Sequence, residues 1–131
     1  MRRLSESEQR FLEEPFYGVV TTLRADGSPH STVVWVDTED GIPRFNTAYP
    51  RTKPRNLDRD PRVALLVVDP EDPYRWLAVD GRVELTAEGA DAHIDALSAK
   101  YTGNPVYGGH NEREQRVTVR ILPERVDAHK L

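Results

Sequence analysis

A run of basic residues between positions 51 and 62 is the part of this sequence with the clearest chemical potential. The segment carries five cations against two carboxylates, whereas the 131-residue chain has a formal charge of −4. The residues are Arg51, Lys53, Arg55, Arg59 and Arg62, with Asp58 and Asp60. Such a local excess favours an anion site, and a helical turn that follows would add N–H donors for phosphate. A solvated, charged loop without a ligand is the alternative.

The other reactive residue types exclude several classes of function. The chain has no cysteine, which excludes disulfides, thiol nucleophiles and cysteine-ligated metals. Its histidines, at positions 30, 93, 110 and 129, are too widely spaced to indicate a metal site. No P-loop, dinucleotide-binding glycine motif, nucleophile elbow or zinc-protease helix motif occurs. We therefore expect no metal and none of these common enzyme classes.

Composition indicates a single globular domain spanning residues 1–131. Apolar residues make up 37% and charged residues 31% of a chain long enough to bury a core without disulfide or metal staples. A pI of about 5.6 argues against a nucleic-acid partner. No apolar run approaches the ~20 residues of a membrane span, and the charged N-terminal residues do not resemble a signal peptide. We expect a cytoplasmic protein.

Runs of β-branched and apolar residues, one of them with clear alternation, predict six antiparallel strands. They are Tyr17–Leu23, His30–Val36, Ile42–Thr47, Val63–Val68, Tyr74–Thr86 and Val117–Leu122. Asp26–Gly27 is a hairpin signal, so the first three strands are expected to form a meander. The apolar run Val63–Val68 is expected to be covered on both faces, and Gly81 indicates a bulge or a close backbone approach. These strands favour a mostly β protein, a small closed or split β-barrel.

Two helical segments precede and interrupt the early strands. A short N-terminal helix is expected over Ser5–Glu14, because Ser5 and Glu8 have the spacing of a capping box. A single helical turn is expected over Asn56–Arg59, within the basic segment. This turn would place the first cations of the segment beside free backbone N–H groups.

One longer amphipathic helix is inserted late in the chain. Apolar residues spaced three and four apart predict it over Ala87–Tyr101, with Thr86 as the N-cap. His93 is expected on its solvated face. The glycine-rich residues 102–115 that follow are expected to form a loop, either a plain surface loop or a mobile lid.

The order and spacing of several short segments resemble one known family. These segments are Gly18–Leu23, Asp26–Pro29, Trp35, Phe45–Leu66, Ala78–Gly81 and Arg116–Val119. Together they resemble the pyridoxamine 5′-phosphate oxidase-like, FMN-binding-type split β-barrel family. Within that family they are most similar to the branch that binds the deazaflavin coenzyme F420.

The resemblance implies a homodimer with two cofactor sites at the subunit interface. The cofactor ring would lie against the backbone of two strands, at Ser31, Thr32, Val33 and Val34 and at Asn46, Thr47 and Ala48. Arg51 and Lys53 would meet the cofactor phosphate. Tyr74 would reach the site from the other subunit.

The function implied is that of an F420-dependent oxidoreductase, an F420H2-dependent reductase. It would transfer a hydride between the reduced deazaflavin and a small organic acceptor that the sequence does not identify. FMN is the alternative cofactor, although Thr52 separates Arg51 from Lys53, whereas the FMN-binding branch has an adjacent Arg-Lys pair. A non-catalytic flavin- or deazaflavin-binding protein is the second alternative. No side chain is identified as a catalytic acid or base, because the cofactor carries the chemistry.

Overall fold

Seven antiparallel strands form one sheet in the order β2-β1-β5-β6-β7-β4-β3 in the computed structural model, which describes residues 1–131. The strands are β1 Gly18–Leu23, β2 Pro29–Val34, β3 Asp37–Glu39, β4 Ile42–Tyr49, β5 Arg62–Val68, β6 Trp76–Thr86 and β7 Gln115–His129. The helices are α1 Glu6–Glu13, α2 Thr52–Arg59 and α3 Ala90–Thr102. None of the helices is long and apolar enough to cross a membrane.

The sheet curls around one apolar core, and the expected mostly β split-barrel architecture is confirmed. The core consists of apolar side chains from the inner faces of six strands and from the connections between strands. Phe11 and Leu12 of α1 and Leu57 of α2 complete it. Phe45 of β4 and Val79 of β6 are fully buried within it. Helices α2 and α3 both pack against β4.

The expected meander of the first three strands is wrong. β1 and β2 form the predicted hairpin, but β4 pairs with β3 and β7 at the opposite end of the sheet. Val36, fully buried, lies in the short crossover between the two edges. Hydrophobic alternation indicates which face of a strand is buried, but the partner is chosen by long-range packing.

Strand β5 was expected to be covered on both faces, and within one chain it is not. Val63, Leu65 and Val67 are buried, but Leu66 between them is 42% exposed. Leu66 lies beside Val19, and Val19 beside Val33, which is 65% exposed. These three residues form an apolar row across β2, β1 and β5. The chain therefore presents an apolar sheet face to its surroundings.

The helix ends differ from expectation in two of three cases. The capping box of α1 is present, with Ser5 and Glu8 bonding each other's backbone N–H. A hydrogen bond from Arg2 lowers the pKa of Glu8 to about 2, because its effect is larger than the opposing effect of burial. In contrast, the N-cap of helix α3 is Gly89, which has a positive φ of 76°, and not the predicted Thr86. Helix α2 is also longer than the single predicted turn.

Gly81 makes the close backbone approach that its position in the sequence predicts. A register shift between Asp80 and Gly81 marks a bulge, with Glu124 as the extra residue of β7. A Cβ atom on Gly81 would lie 2.1 Å from the carbonyl oxygen of Leu122. Only glycine lets β6 and β7 pair here without a backbone shift.

We predict that Gly81→Ala destabilises the protein by about 2 to 3 kcal/mol, because the added methyl group forces two backbones apart. Denaturant unfolding of both proteins measures the change. Gly108→Ala is the control, since a Cβ there has no neighbour within 4 Å, and its effect is expected to stay within about 0.5 kcal/mol. Equal effects of the two substitutions would contradict the close approach.

Candidate functional site

A cleft of about 180 Å³ opens where the end of β2, strand β4, the start of α2, helix α3 and the loop after α3 meet. Its lining combines apolar, aromatic and cationic side chains. They are Tyr17, Val33, Val34, Trp35, Asn46, Arg51, Lys53, Ile94, Leu97, Tyr107 and Arg116. The cleft therefore brings together five of the ten residues predicted for the cofactor site: Val33, Val34, Asn46, Arg51 and Lys53.

Three cations meet in this cleft, and one of them has no partner. Arg51 pairs with Glu114, with its Nη2 3.1 Å from Oε1. The Lys53 side chain is half-buried and makes no hydrogen bond or ion pair in the structure. Burial lowers the pKa of the Lys53 ammonium group most, and repulsion from Arg51 and Arg116 lowers it further. An anion bound beside Lys53 would relieve both penalties.

The helix that carries Lys53 adds to the same potential. Arg51 is the N-cap of α2, and its side chain makes no capping hydrogen bond to the first turn. The N–H groups that begin α2 are therefore not used by a cap, and the positive end of the helix dipole lies beside Lys53. Thr52 and Lys53 supply such N–H groups, whereas Pro54 has none. The sequence-based prediction of cations beside a helix start is confirmed.

The inner end of the cleft is built from Asn46, Arg116 and Tyr107. Arg116, only 7% exposed, donates from Nη1 to Oδ1 of Asn46 at 3.3 Å and from Nη2 to the Tyr107 hydroxyl at 3.2 Å. Its guanidinium carbon lies 4.7 Å from the centroid of the Tyr107 ring. The guanidinium is thus held in one orientation by two hydrogen bonds and an aromatic face.

Aromatic rings form another part of the cleft and its surroundings. Trp35 stacks on Tyr101 at a centroid distance of 5.5 Å and an interplanar angle of 13°, and Tyr107 meets Trp35 edge-on at 6.0 Å. The Tyr101 hydroxyl donates to the carbonyl oxygen of Phe16 at 2.7 Å, which anchors the ring. Burial raises the pKa of Tyr101 to about 12. The Tyr101 hydroxyl therefore stays protonated at neutral pH.

The other five predicted residues do not line the cleft of this chain. Ser31 and Thr32 lie in β2, where the Ser31 hydroxyl bonds that of Thr21 at 2.8 Å. Thr47 and Ala48 are fully buried, and neither Thr32 Oγ1 nor Thr47 Oγ1 has a hydrogen-bond partner. Tyr74 lies in the loop before β6 and is 72% exposed. Their assignment to the site stays a prediction.

The arginines further along the basic segment differ in how far they are engaged. Arg62 forms an ion pair with Asp60 at 2.7 Å, and Arg59 donates to Oδ1 of Asn56 at 2.9 Å. Arg55 is exposed and makes no hydrogen bond or ion pair. Arg55 is therefore the cation of this group that is available to an anion outside the cleft.

Sequence reasoning missed Tyr107 as a lining residue, and it placed His93 wrongly. His93 is 5% exposed, so the expectation of a solvated face is wrong. The signal was present, because His93 follows Ala90 by three residues and precedes Leu97 by four, which puts it on the buried stripe. Tyr107 lies in the glycine-rich loop, where no periodicity indicates a direction.

The missed role of Arg116 also had a sequence signal. Arg116, Thr118 and Arg120 alternate with apolar residues in β7, so they share the face opposite the barrel core. β7 pairs with β4 so that Arg116 lies beside Ala48 and Thr118 beside Asn46. Only this pairing brings the basic residue to the cleft.

The residues of the cleft fit a planar group that carries an anion. Apolar and aromatic side chains, including Val33, Val34 and Trp35, offer walls for a flat ring. Lys53, with no partner of its own, offers a charge-assisted hydrogen bond to phosphate. No group of three or more histidines and carboxylates is placed to hold a metal ion.

The fold and the cleft together define the class of protein. The pattern of the family described as pyridoxamine 5′-phosphate oxidase matches residues 4–130. The chain belongs to this family, and the resemblance given above is confirmed.

Particular relatives refine the comparison. An F420H(2)-dependent biliverdin reductase of Mycobacterium tuberculosis (strain CDC 1551 / Oshkosh) is 34% identical over 126 residues, which are 95% of this chain and 87% of that protein. A solved structure of an F420 reductase superimposes with a TM-score of 0.82 at 31% identity, covering 95% of this chain and 98% of the other. A conserved hypothetical protein of Mycobacterium tuberculosis has a TM-score of 0.76 at 28% identity, with coverages of 96% and 84%.

Proposed function

We propose that the protein is an F420H2-dependent reductase that transfers a hydride from the reduced deazaflavin to a small organic acceptor. The observation that carries the proposal is the half-buried, unpartnered Lys53 between Arg51 and Arg116, at the edge of an aromatic cleft. Both the F420H(2)-dependent biliverdin reductase and the F420 reductase cover more than nine-tenths of this chain. The cleft and the relatives thus support the same cofactor.

The cofactor supplies the redox chemistry, and the chain supplies position. When bound, the reduced cofactor would supply the hydride and the proton that the acceptor gains, and its oxidised form would be released or reduced again elsewhere. Lys53 and the start of α2 would hold the phosphate, and Val33, Val34 and Trp35, which line the cleft, would help to exclude water from the ring. No carboxyl side chain lines the cleft, so no carboxyl group of this chain is assigned a part in that proton transfer.

The direct test is turnover. We expect the purified protein to oxidise F420H2 in the presence of an acceptor, followed as the return of oxidised deazaflavin absorbance. Biliverdin is the first acceptor to try, because a 34% identical relative is named for it. Binding of F420 without turnover of any acceptor would favour the non-catalytic alternative. Turnover with reduced FMN alone would favour the FMN alternative.

A homodimer is part of the proposal, because one chain leaves the site and a sheet face open. The apolar row of Val33, Val19 and Leu66 is exposed, and Val33 also lines the cleft. A second chain packed on this row would cover the row and lie at the cleft mouth. Tyr74, exposed and outside the cleft of its own chain, would then be supplied to the site of the partner.

We predict that Lys53→Glu weakens F420 binding by at least about 2 kcal/mol, roughly thirtyfold, because a carboxylate replaces the phosphate partner. The melting temperature should not fall, since the new carboxylate would lie between Arg51 and Arg116, where the lysine is repelled. Fluorescence titration and thermal unfolding measure the two quantities. Arg51→Ala should be milder, because Glu114 already engages that arginine.

Unchanged F420 affinity in Lys53→Glu would show that the basic segment is only a solvated surface. Lys53→Met is the matched control for charge. It removes the ammonium group without adding a carboxylate, so its affinity should lie between those of the parent and Lys53→Glu. A loss of affinity that follows a loss of folded protein would not support a phosphate site.

We predict that F420 binds more tightly than FMN and that the preference falls as salt rises. Both cofactors carry a ring and a phosphate, but F420 extends into anionic glutamates that exposed cations such as Arg55 can attract. Each exposed pair contributes only about 0.2 to 1 kcal/mol and is screened at ~0.15 M salt. Parallel titrations at low and high salt measure the preference.

Arg55 and Arg62 form a matched pair for this prediction. Arg55→Ala should reduce the preference for F420 by about two- to fivefold at low salt, the size of one exposed ion pair. Arg62→Ala should leave it unchanged, because Asp60 already neutralises Arg62. A preference for F420 over FMN that changes neither with salt nor with either substitution would exclude these arginines as contacts of the glutamate tail.

We predict a dimer of about 30 kDa in solution, twice the chain mass of 14.9 kDa, burying more than roughly 2,000 Å² in total. Leu66→Arg should yield monomers, because it places a charge in the apolar row. Sedimentation at micromolar concentration distinguishes the two states, with the exposed Glu88→Arg as the control for added charge. A monomeric parent protein would overturn both the dimer and the shared site.

A further inference from the structure

A chain of buried and half-buried polar side chains runs behind the cleft and ends at Arg116. Arg44 donates to both oxygens of Asp37, each at 2.9 Å. Asp37 Oδ1 lies 3.2 Å from Nε2 of His93, and His93 Nδ1 lies 3.2 Å from Nδ2 of Asn46. Asn46 Oδ1 then accepts from Arg116 at 3.3 Å. These five residues are called the relay below.

Two fixed neighbours decide which way the Asn46 amide points. Its nitrogen lies 2.9 Å from the carbonyl oxygen of Ala90, which can only accept a hydrogen bond. Its oxygen faces the Arg116 guanidinium, which can only donate. The reversed amide would place an oxygen against a carbonyl and an NH2 group against a cation. Asn46 therefore has one acceptable orientation.

That orientation sets the position of the proton on His93. The second N–H of the Asn46 amide points at His93 Nδ1, so Nδ1 must accept. The Thr118 hydroxyl lies 2.9 Å from the same nitrogen and can donate to it. The ring proton is consequently on Nε2, where it is donated to Asp37. In the other tautomer a donor would face the Asn46 donor.

Asp37 is suited to hold this tautomer in place. Burial by itself would raise the pKa of Asp37, but hydrogen bonds from His93 and Arg44 outweigh burial and hold it below its usual value. The carboxylate is therefore ionised at neutral pH and accepts on both sides. The members nearest the cleft are buried, with His93 5%, Asn46 9% and Arg116 7% exposed, so water does not readily replace a lost partner.

We propose that His93 is a positioning residue that orients the Arg116 guanidinium in the cleft through the Asn46 amide. His93 does not line the cleft and touches no bound group itself. It acts by accepting from Asn46, which turns the Asn46 oxygen toward Arg116. The role in cofactor binding rests on the proposed F420 function, whereas the orientation of Arg116 does not.

The first experiment uses the unmodified chain without cofactor. Long-range ¹H–¹⁵N correlation of the His93 ring at neutral pH should show the proton on Nε2 and none on Nδ1. A ring that carries a proton on Nδ1, neutral or charged, would overturn the relay. Because no substitution is involved, this result does not depend on the folding of a variant.

The second experiment tests whether His93 acts through Arg116. His93→Phe keeps a ring of similar shape but removes both nitrogens, and it should weaken F420 binding about tenfold, the size of a hydrogen bond to a charged group. The same substitution in an Arg116→Ala background should weaken F420 binding by less than about twofold. Equal losses in both backgrounds would assign His93 a merely structural role.

Ser98→Ala is the control for loss of a buried polar group from α3. Ser98 is buried and bonds Thr102 but takes no part in the relay. It should leave the F420 affinity within about twofold of the parent even if stability falls. A loss of affinity in Ser98→Ala equal to that in His93→Phe would overturn the proposal.

The side-chain NMR signal of Arg116 separates failure of the relay from failure of the proposed function. In the cofactor-free parent, the Arg116 Nη1–H signal should be resolved and protected from exchange, because Nη1 donates to Asn46. His93→Phe should remove that protection. A parent that does not bind F420 but shows this change would contradict the proposed function and support the relay. A signal that His93→Phe leaves unchanged would overturn the relay, whatever the affinity for F420.

Discussion

Pairing of the fifteen-residue strand β7 with both β6 and β4 is the constraint on which the rest of the structure depends. β7 pairs with the whole length of β6, with a bulge opposite Gly81. The first half of β7 also pairs with β4. This register places Thr118 beside Asn46 and Arg116 beside Ala48. Paired residues project from the same face of a sheet, so a buried cation is delivered to the strand that borders the cleft.

The charges in the cleft favour binding of an anion and disfavour the folded chain without one. Lys53 is half-buried and repelled by Arg51 and Arg116, and this environment lowers its pKa. The folded chain therefore carries an unfavourable charge arrangement that a bound anion would relieve. Functional sites commonly retain such local costs, and an arginine held by Asn46 and Tyr107 is already oriented before a ligand arrives.

The apolar sheet face and the cleft are parts of one surface. Val33 belongs to both, because it is exposed on β2 next to Val19 and also lines the cleft. A partner chain that covers the apolar row would consequently change the access of solvent to the cleft. The proposed dimer and the proposed cofactor site thus depend on the same strand, and a change at β2 should affect both.

The sequence by itself determined the features that local physics controls. The capping box of Ser5 and Glu8 and the β1–β2 hairpin each depend on residues that are close together in the chain. The missing side chain of Gly81 indicated a close approach, although its partner Leu122 was not indicated. The basic segment with Arg51 and Lys53 was also visible, because charge is a property of composition.

Only the tertiary structure decided the strand order and the far side of the cleft. Alternation in a strand indicates a buried face but names no partner, so β4 was predicted beside β2 and is found beside β7. The contacts of His93 with Asp37 and of Arg116 with Asn46 span long stretches of chain. Such contacts form only when packing of the whole sheet brings the strands together, and no local pattern specifies them.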